Sequence, residues 1–135
     1  TTVFDHVHEV LTGFQSSGRA LGLCTNKPEA ATEIVLAEFG LTAFFGSIVG
    51  GDRLLSRKPD PAMLQLVMKE LAVERCLFVG DSEVDVATAR AAGVPIALFT
   101  QGYRQTSVAE LAPDFEFDHF KNLPAIATTF FASIA

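Results

Sequence analysis

Residues 78–93 read FVGDSEVDVATARAAG. An apolar run ends in Gly80, two carboxylates follow four residues apart at Asp81 and Asp85, and a small-residue segment stops at Gly93. The pattern predicts a buried strand passing directly into a helix. A strand that delivers carboxylates to its carboxyl end, just ahead of a helix, is a natural seat for a hard cation such as Mg²⁺. Helix capping is the competing explanation. Ser82-Glu83-Val84-Asp85 fits a capping box with Asp in place of the usual Glu. Capping accounts for Ser82 and Asp85 but leaves Asp81, an acid directly after a strand and a glycine, unexplained.

The flanking sequence alternates in the same way. Val3, Val7, Val10, Leu11 and Phe14 recur at helical spacing, and Gly18 closes that segment. ALGLC (20–24) reads as a buried strand, and Pro28 opens a helix with Ile34, Val35 and Phe39 on its apolar side. SIVGG (47–51) is a strand leading into a loop. Asp60 and Pro61 start a further helix, as N-cap and first-turn proline, carrying Met63, Leu64, Val67, Met68 and Leu71. CLFVG (76–80), PIALF (95–99) and FEF (115–117) are strands, and Ser107–Leu111 and Leu123–Ile134 are helices. Apolar strands separated by helices predict an α/β fold with a parallel sheet covered on both faces. Ligands in such sheets gather beyond the carboxyl ends of the strands. Those ends are Thr25-Asn26, Gly50-Gly51-Asp52, Asp81 and Thr100-Gln101-Gly102.

At 135 residues the chain has the size of one domain with one core. A hydrophobic content of 49% argues against extended disorder, and a net charge of −6 argues against a general nucleic-acid or anionic-membrane binder. No apolar stretch approaches the ~20 residues of a transmembrane helix and no signal peptide opens the chain, so the expected compartment is the cytoplasm. Cys24 and Cys76 lie inside apolar runs and read as buried reduced thiols. His6, His8 and His119 have no zinc-ligand spacing. The twelve phenylalanines read as packing rather than a stacking platform.

Two further places can carry chemistry. Thr25 and Asn26 follow a strand and precede the proline of a helix, where backbone N–H groups and a hydroxyl together form an anion site. Taken in isolation, an ordinary strand-to-helix turn is the commoner explanation of the two residues. Lys58 lies in SRKPDP (56–61), where Pro59 and Pro61 stiffen the backbone and project the lysine from a fixed point. There it can neutralise a phosphate as a point charge, or simply be a solvated loop lysine. Arg53 and Arg57 read as surface residues.

LCTNKP (23–28), SRKPDP (56–61) and GDSEVDVATARAAG (80–93), in this order, resemble the haloacid dehalogenase superfamily of phosphohydrolases, most closely its phosphoglycolate phosphatase branch. The resemblance covers nearly the whole chain. It implies a three-layer fold, Mg²⁺ as cofactor, and phosphoryl transfer to an aspartate followed by hydrolysis of the aspartyl-phosphate. It also implies roles: Thr25 and Asn26 bind the phosphoryl group, Lys58 neutralises it and orients the nucleophile, and Asp81 ligates Mg²⁺. Asp85 supports the metal directly or through water, and Ser82 caps or lies behind it. The implied substrate is a small phosphomonoester such as 2-phosphoglycolate.

The chain departs from that family at one place. Members begin with a strand ending in Asp-x-Asp-Gly-Thr, which holds the nucleophile and the acid/base, followed by a helical cap domain. Val3-Phe4-Asp5-His6-Val7 is the only candidate, and it lacks the second Asp and the Gly-Thr. The expectation is therefore a single core domain over 1–135, the portion after the cap, which cannot turn over alone because both catalytic aspartates are missing. The absent strand belongs between ALGLC and CLFVG. Its two neighbours are expected to close up, to pair with another copy, or to receive a strand from a segment outside these residues. Other readings are a non-catalytic remnant that binds phosphate or a partner, a dehalogenase or sugar-phosphate mutase of the same superfamily, and a receiver-like signalling domain. The last has its acidic residues ahead of the threonine and lysine, opposite to the order Thr25, Lys58, Asp81, Asp85.

Overall fold

The computed structural model describes residues 2–55, 58–101 and 105–132, with side chains from Val7 to Phe131 within those ranges. The chain alternates as the apolar pattern predicts. The helices are α1 (Thr2–Ser16), α2 (Glu29–Glu38), α3 (Ala62–Leu71), α4 (Glu83–Ala92), α5 (Val108–Leu111) and α6 (Leu123–Ala132). The strands are β1 (Gly22–Cys24), β2 (Ser47–Val49), β3 (Phe78–Gly80), β4 (Ile96–Phe99) and β5 (Phe115–Phe117). Short 3-10 turns at Thr42–Phe44 and Phe120–Asn122 are additions to the sequence reading.

All ladders are parallel. β1 pairs with β2 in the register Leu23 to Ile48. β3 pairs with β4 and β4 with β5, with Val79 opposite Ala97 and Leu98 opposite Glu116. The strands form a two-stranded and a three-stranded sheet, and β1 and β3 share no ladder. Of the three outcomes expected for these two edges, closing up on each other is not seen among the described residues. Burial agrees with this split. Ile96, Ala97 and Leu98 of β4 are fully buried, whereas Val79 of β3 is 40% exposed. Parallel strands are ordinarily covered on both faces, so β3 is under-covered for its type.

Helices lie on both faces. α3 packs on β1 and β2 and against α4, which covers β3 and β4. One cluster joins Cys24, Val49, Met63, Leu64 and Val67, with Phe78 packed against it, so α3 spans both sheets from one side. On the other face Val10 of α1 and Leu123 at the start of α6 enclose Ala97 and Phe117. The site-bearing helix α4 starts with the expected capping box: Asp85 N–H donates to Ser82 Oγ and Ser82 N–H to the Asp85 carboxylate. It ends at Gly93, whose φ of 73° suits a residue without Cβ.

Two readings change. Ile34 and Val35 of α2, and Phe39 just past its end, are exposed, and the buried positions of the helix are Thr32 and Leu36. Thr32 is accommodated because its hydroxyl donates to Pro28 O at 3.0 Å. Pro61, not Asp60, is the N-cap of α3; Asp60 stands one residue earlier and accepts from Ala62 N–H at 2.8 Å. Val3-Phe4-Asp5 lies within α1, as its helical spacing predicts; the side chains of Asp5 and His6 are outside the described residues, as are Arg57 and Gly102.

Candidate active site

Three of the four strand ends converge, and hydrogen bonds connect them. β1 runs straight into Thr25, whose N–H donates to Val49 O at 3.1 Å and whose hydroxyl accepts from Lys27 N–H at 3.2 Å. The threonine is thus fixed at the entry of α2 and keeps a hydroxyl proton to donate. Asn26 reaches across to the lysine loop. Its Oδ1 accepts from Lys58 N–H at 2.9 Å, and its Nδ2 donates to Lys58 O at 3.2 Å. The carboxamide expected to help bind a phosphoryl group is therefore engaged in clasping Lys58.

Lys58 crosses the gap between the two sheets. Its Nζ lies 2.8 Å from Asp85 Oδ1, with both side chains largely buried, at 14% and 10% exposed. The other oxygen of Asp85 accepts from Asp81 N–H at 3.0 Å and from the Ser82 N–H and hydroxyl. Both oxygens are occupied, so Asp85 orients Asp81 and Lys58 while also capping α4. Gly80 makes this possible, because a Cβ there would strike the Asp85 side chain.

The two aspartates differ in electrostatics. Burial works against the charge on Asp85, but the hydrogen bond and charge of Lys58, with the Asp81 N–H and Ser82, hold its carboxyl below the ordinary value. Asp81 shifts the other way. Its side chain reaches solvent, yet desolvation by the packed atoms around it, and then the Asp85 charge, raise its carboxyl. An acid whose ionised form is under-compensated at a strand end is chemically suited to a cation. Among the described residues no group of three His, Cys, Asp or Glu surrounds a common point.

At the fourth strand end Thr100 N–H donates to Phe117 O and Gln101 Nε2 to the Thr100 hydroxyl. Cys24 lies directly before Thr25 but is inert as a nucleophile, its thiol pushed up to about 11 by burial. The sequence reading missed Glu29 and Glu70 and took Arg53 for a surface residue. With Asp52, named above at a strand end, they connect the start of α2, residues 50–53 and α3. Gly50-Gly51 ahead of Asp52 was the available signal, since a Cβ on Gly51 would collide with Asn26 O and one on Gly50 with the Glu29 backbone.

The family model for haloacid dehalogenase-like hydrolases matches residues 1–99. A phosphoglycolate phosphatase of Cereibacter sphaeroides is 47% identical over 124 residues, covering 92% of this chain and 57% of that protein. One from Salmonella typhi is 39% identical over 130 residues, covering 93% and 52%. A crystal structure described as a predicted phosphoglycolate phosphatase from Haemophilus somnus superposes with a TM-score of 0.85 at 32% identity, covering 90% of this chain and 56% of that one. The chain spans little more than half the length of the relatives it matches.

Proposed function

The chain belongs to the haloacid dehalogenase-like hydrolase family, and from that premise we propose that it forms the phosphate- and metal-binding part of a phosphatase acting on a small phosphomonoester, 2-phosphoglycolate being the first candidate. The observation that carries this reading is the Lys58–Asp85 pair at 2.8 Å, which joins the strand ends bearing Thr25 and Asp81 across the gap between β1 and β3. A phosphoryl group seated there meets the Thr25 hydroxyl on one side and the Lys58 ammonium on the other. Asn26 acts by holding the Lys58 backbone in place. Asp85 keeps the ammonium aimed and turns the Asp81 backbone.

Asp81 would hold Mg²⁺, which when bound supplies positive charge to the phosphate oxygens. Thr25 and Lys58 contribute to the same end from fixed positions, so most of their effect is electrostatic preorganisation. The nucleophilic aspartate and the acid/base aspartate are absent from these 135 residues, which contain no Asp-x-Asp-Gly-Thr. In the proposal they arrive on an extended strand that fills the space between β1 and β3, and the 135 residues alone do not turn over.

Phosphate release tests this. The 135-residue chain is assayed with 2-phosphoglycolate and Mg²⁺ beside a longer protein that carries the Asp-x-Asp-Gly-Thr strand and cap ahead of the same residues. Only the longer protein should release phosphate, and Lys58→Met or Asp81→Asn should each lower its rate by a factor of about 10² or more. Turnover by the 135 residues alone, or full activity in both variants, would overturn the assignment.

A further inference from the structure

The loop that carries Lys58 leaves β2 at Gly50 and is tied to the start of α2 at both of its ends. At the far end Asn26 holds the Lys58 backbone. At the near end Gly50 N–H donates to Glu29 Oε1 at 3.0 Å, Gly51 N–H to Lys27 O at 2.8 Å, and Glu29 N–H to Asp52 Oδ1 at 2.9 Å. One guanidinium organises this end. Arg53 Nε lies 2.8 Å from Glu29 Oε1, one terminal nitrogen 2.9 Å from Glu70 Oε2, and the other donates to Ile48 O at 3.0 Å. Ser47 Oγ donates to the remaining oxygen of Glu70. A single planar fork thus ties α2, β2 and α3, a task that the point charge of a lysine cannot perform.

The Arg53 side chain is 33% exposed, so its ion pairs add little to global stability. Their directed geometry is the larger consequence. The Arg53 hydrogen bond, and then the Gly50 N–H, keep the Glu29 carboxyl below its ordinary value and hence charged. We propose that Arg53 and Glu29 are positioning residues for Lys58: they lock residues 50–53 to the entry of α2, where Asn26 holds the Lys58 backbone, so that Thr25 and the Lys58 ammonium are presented to a phosphoryl group together. This rests on the reading of Thr25 and Lys58 as phosphate ligands.

The test uses inorganic phosphate as probe, with affinity from calorimetry and amide hydrogen exchange from NMR. It compares the wild-type chain with Arg53→Lys, Glu29→Gln, Lys58→Met and the Arg53→Lys/Lys58→Met double variant. Both Arg53→Lys and Glu29→Gln should speed exchange at the Lys58 N–H and weaken phosphate binding about tenfold, with the urea midpoint little changed. In the Lys58→Met background Arg53→Lys should cost no further affinity, because neighbours acting through one group are not additive. Unchanged exchange at Lys58 in both variants, or an equal loss of affinity with and without Lys58, would overturn the inference. If Lys58→Met binds phosphate as tightly as wild type, or wild type does not bind it, the phosphate-site reading fails, and the exchange measurement still decides whether Arg53 positions the loop.

Discussion

Asp81 and Asp85 are the same residue type four positions apart, and the fold gives them opposite electrostatics. Asp85, held low by Lys58, contributes stability that is fully present above the ordinary aspartate range and is lost as pH falls through its depressed value. Asp81, raised by desolvation and by Asp85, costs stability wherever it is ionised, and that cost vanishes as pH falls from its raised value through the unfolded-state one. At pH 7 without metal, Asp81→Asn is expected to raise the urea midpoint. Asp85→Asn, which strands a buried ammonium, is expected to lower stability by about 3 kcal/mol. Both differences should shrink in urea titrations taken at progressively lower pH. Mg²⁺ should raise the midpoint of wild type and not of Asp81→Asn, by the linkage of binding to folding.

At the scale of elements, the site depends on how three strand-to-helix or strand-to-loop junctions are finished. α4 is capped by Ser82, and Ser82→Ala should cost about 1 kcal/mol in a denaturation curve. β2 finishes differently, with buried Gly50 and Gly51 against the entry of α2. Gly51→Ala forces a Cβ onto the Asn26 carbonyl, so the expected cost is overpacking of about 1–3 kcal/mol. The two variants should separate in their NMR spectra. Ser82→Ala should perturb residues 81–86, whereas Gly51→Ala should shift the Asn26 side-chain amide and the Lys58 N–H.

For the molecule as a whole, the decisive property is the split sheet. Among the described residues β1 is paired only with β2 and β3 only with β4, and Val79 of β3 is 40% exposed. Unpaired edges invite a strand from elsewhere, whether from a second copy or from a segment outside these residues. The 135-residue chain is therefore expected to self-associate as its concentration rises, detected by light scattering. The longer protein with the Asp-x-Asp-Gly-Thr strand should show no such concentration dependence. Concentration-independent monomers of the 135 residues would mean that the gap is not adhesive.

Features that depend on local pattern are legible without any structure. Alternating apolar runs and caps specify the order of elements, and the α4 junction is legible down to Ser82 and Gly93 because capping is a contact between near neighbours. Three short motifs also suffice for the family. Three contacts were not legible in this way: Asn26 clasping the Lys58 backbone, Lys58 engaging Asp85, and Arg53 reaching Glu70. They join residues 17 to 32 positions apart. The tertiary structure also decided which side of α2 is buried, since Thr32 satisfies its hydroxyl within the helix and Ile34 meets no neighbouring layer. Periodicity reports that a helix has two faces; which face is covered depends on what the rest of the chain places beside it.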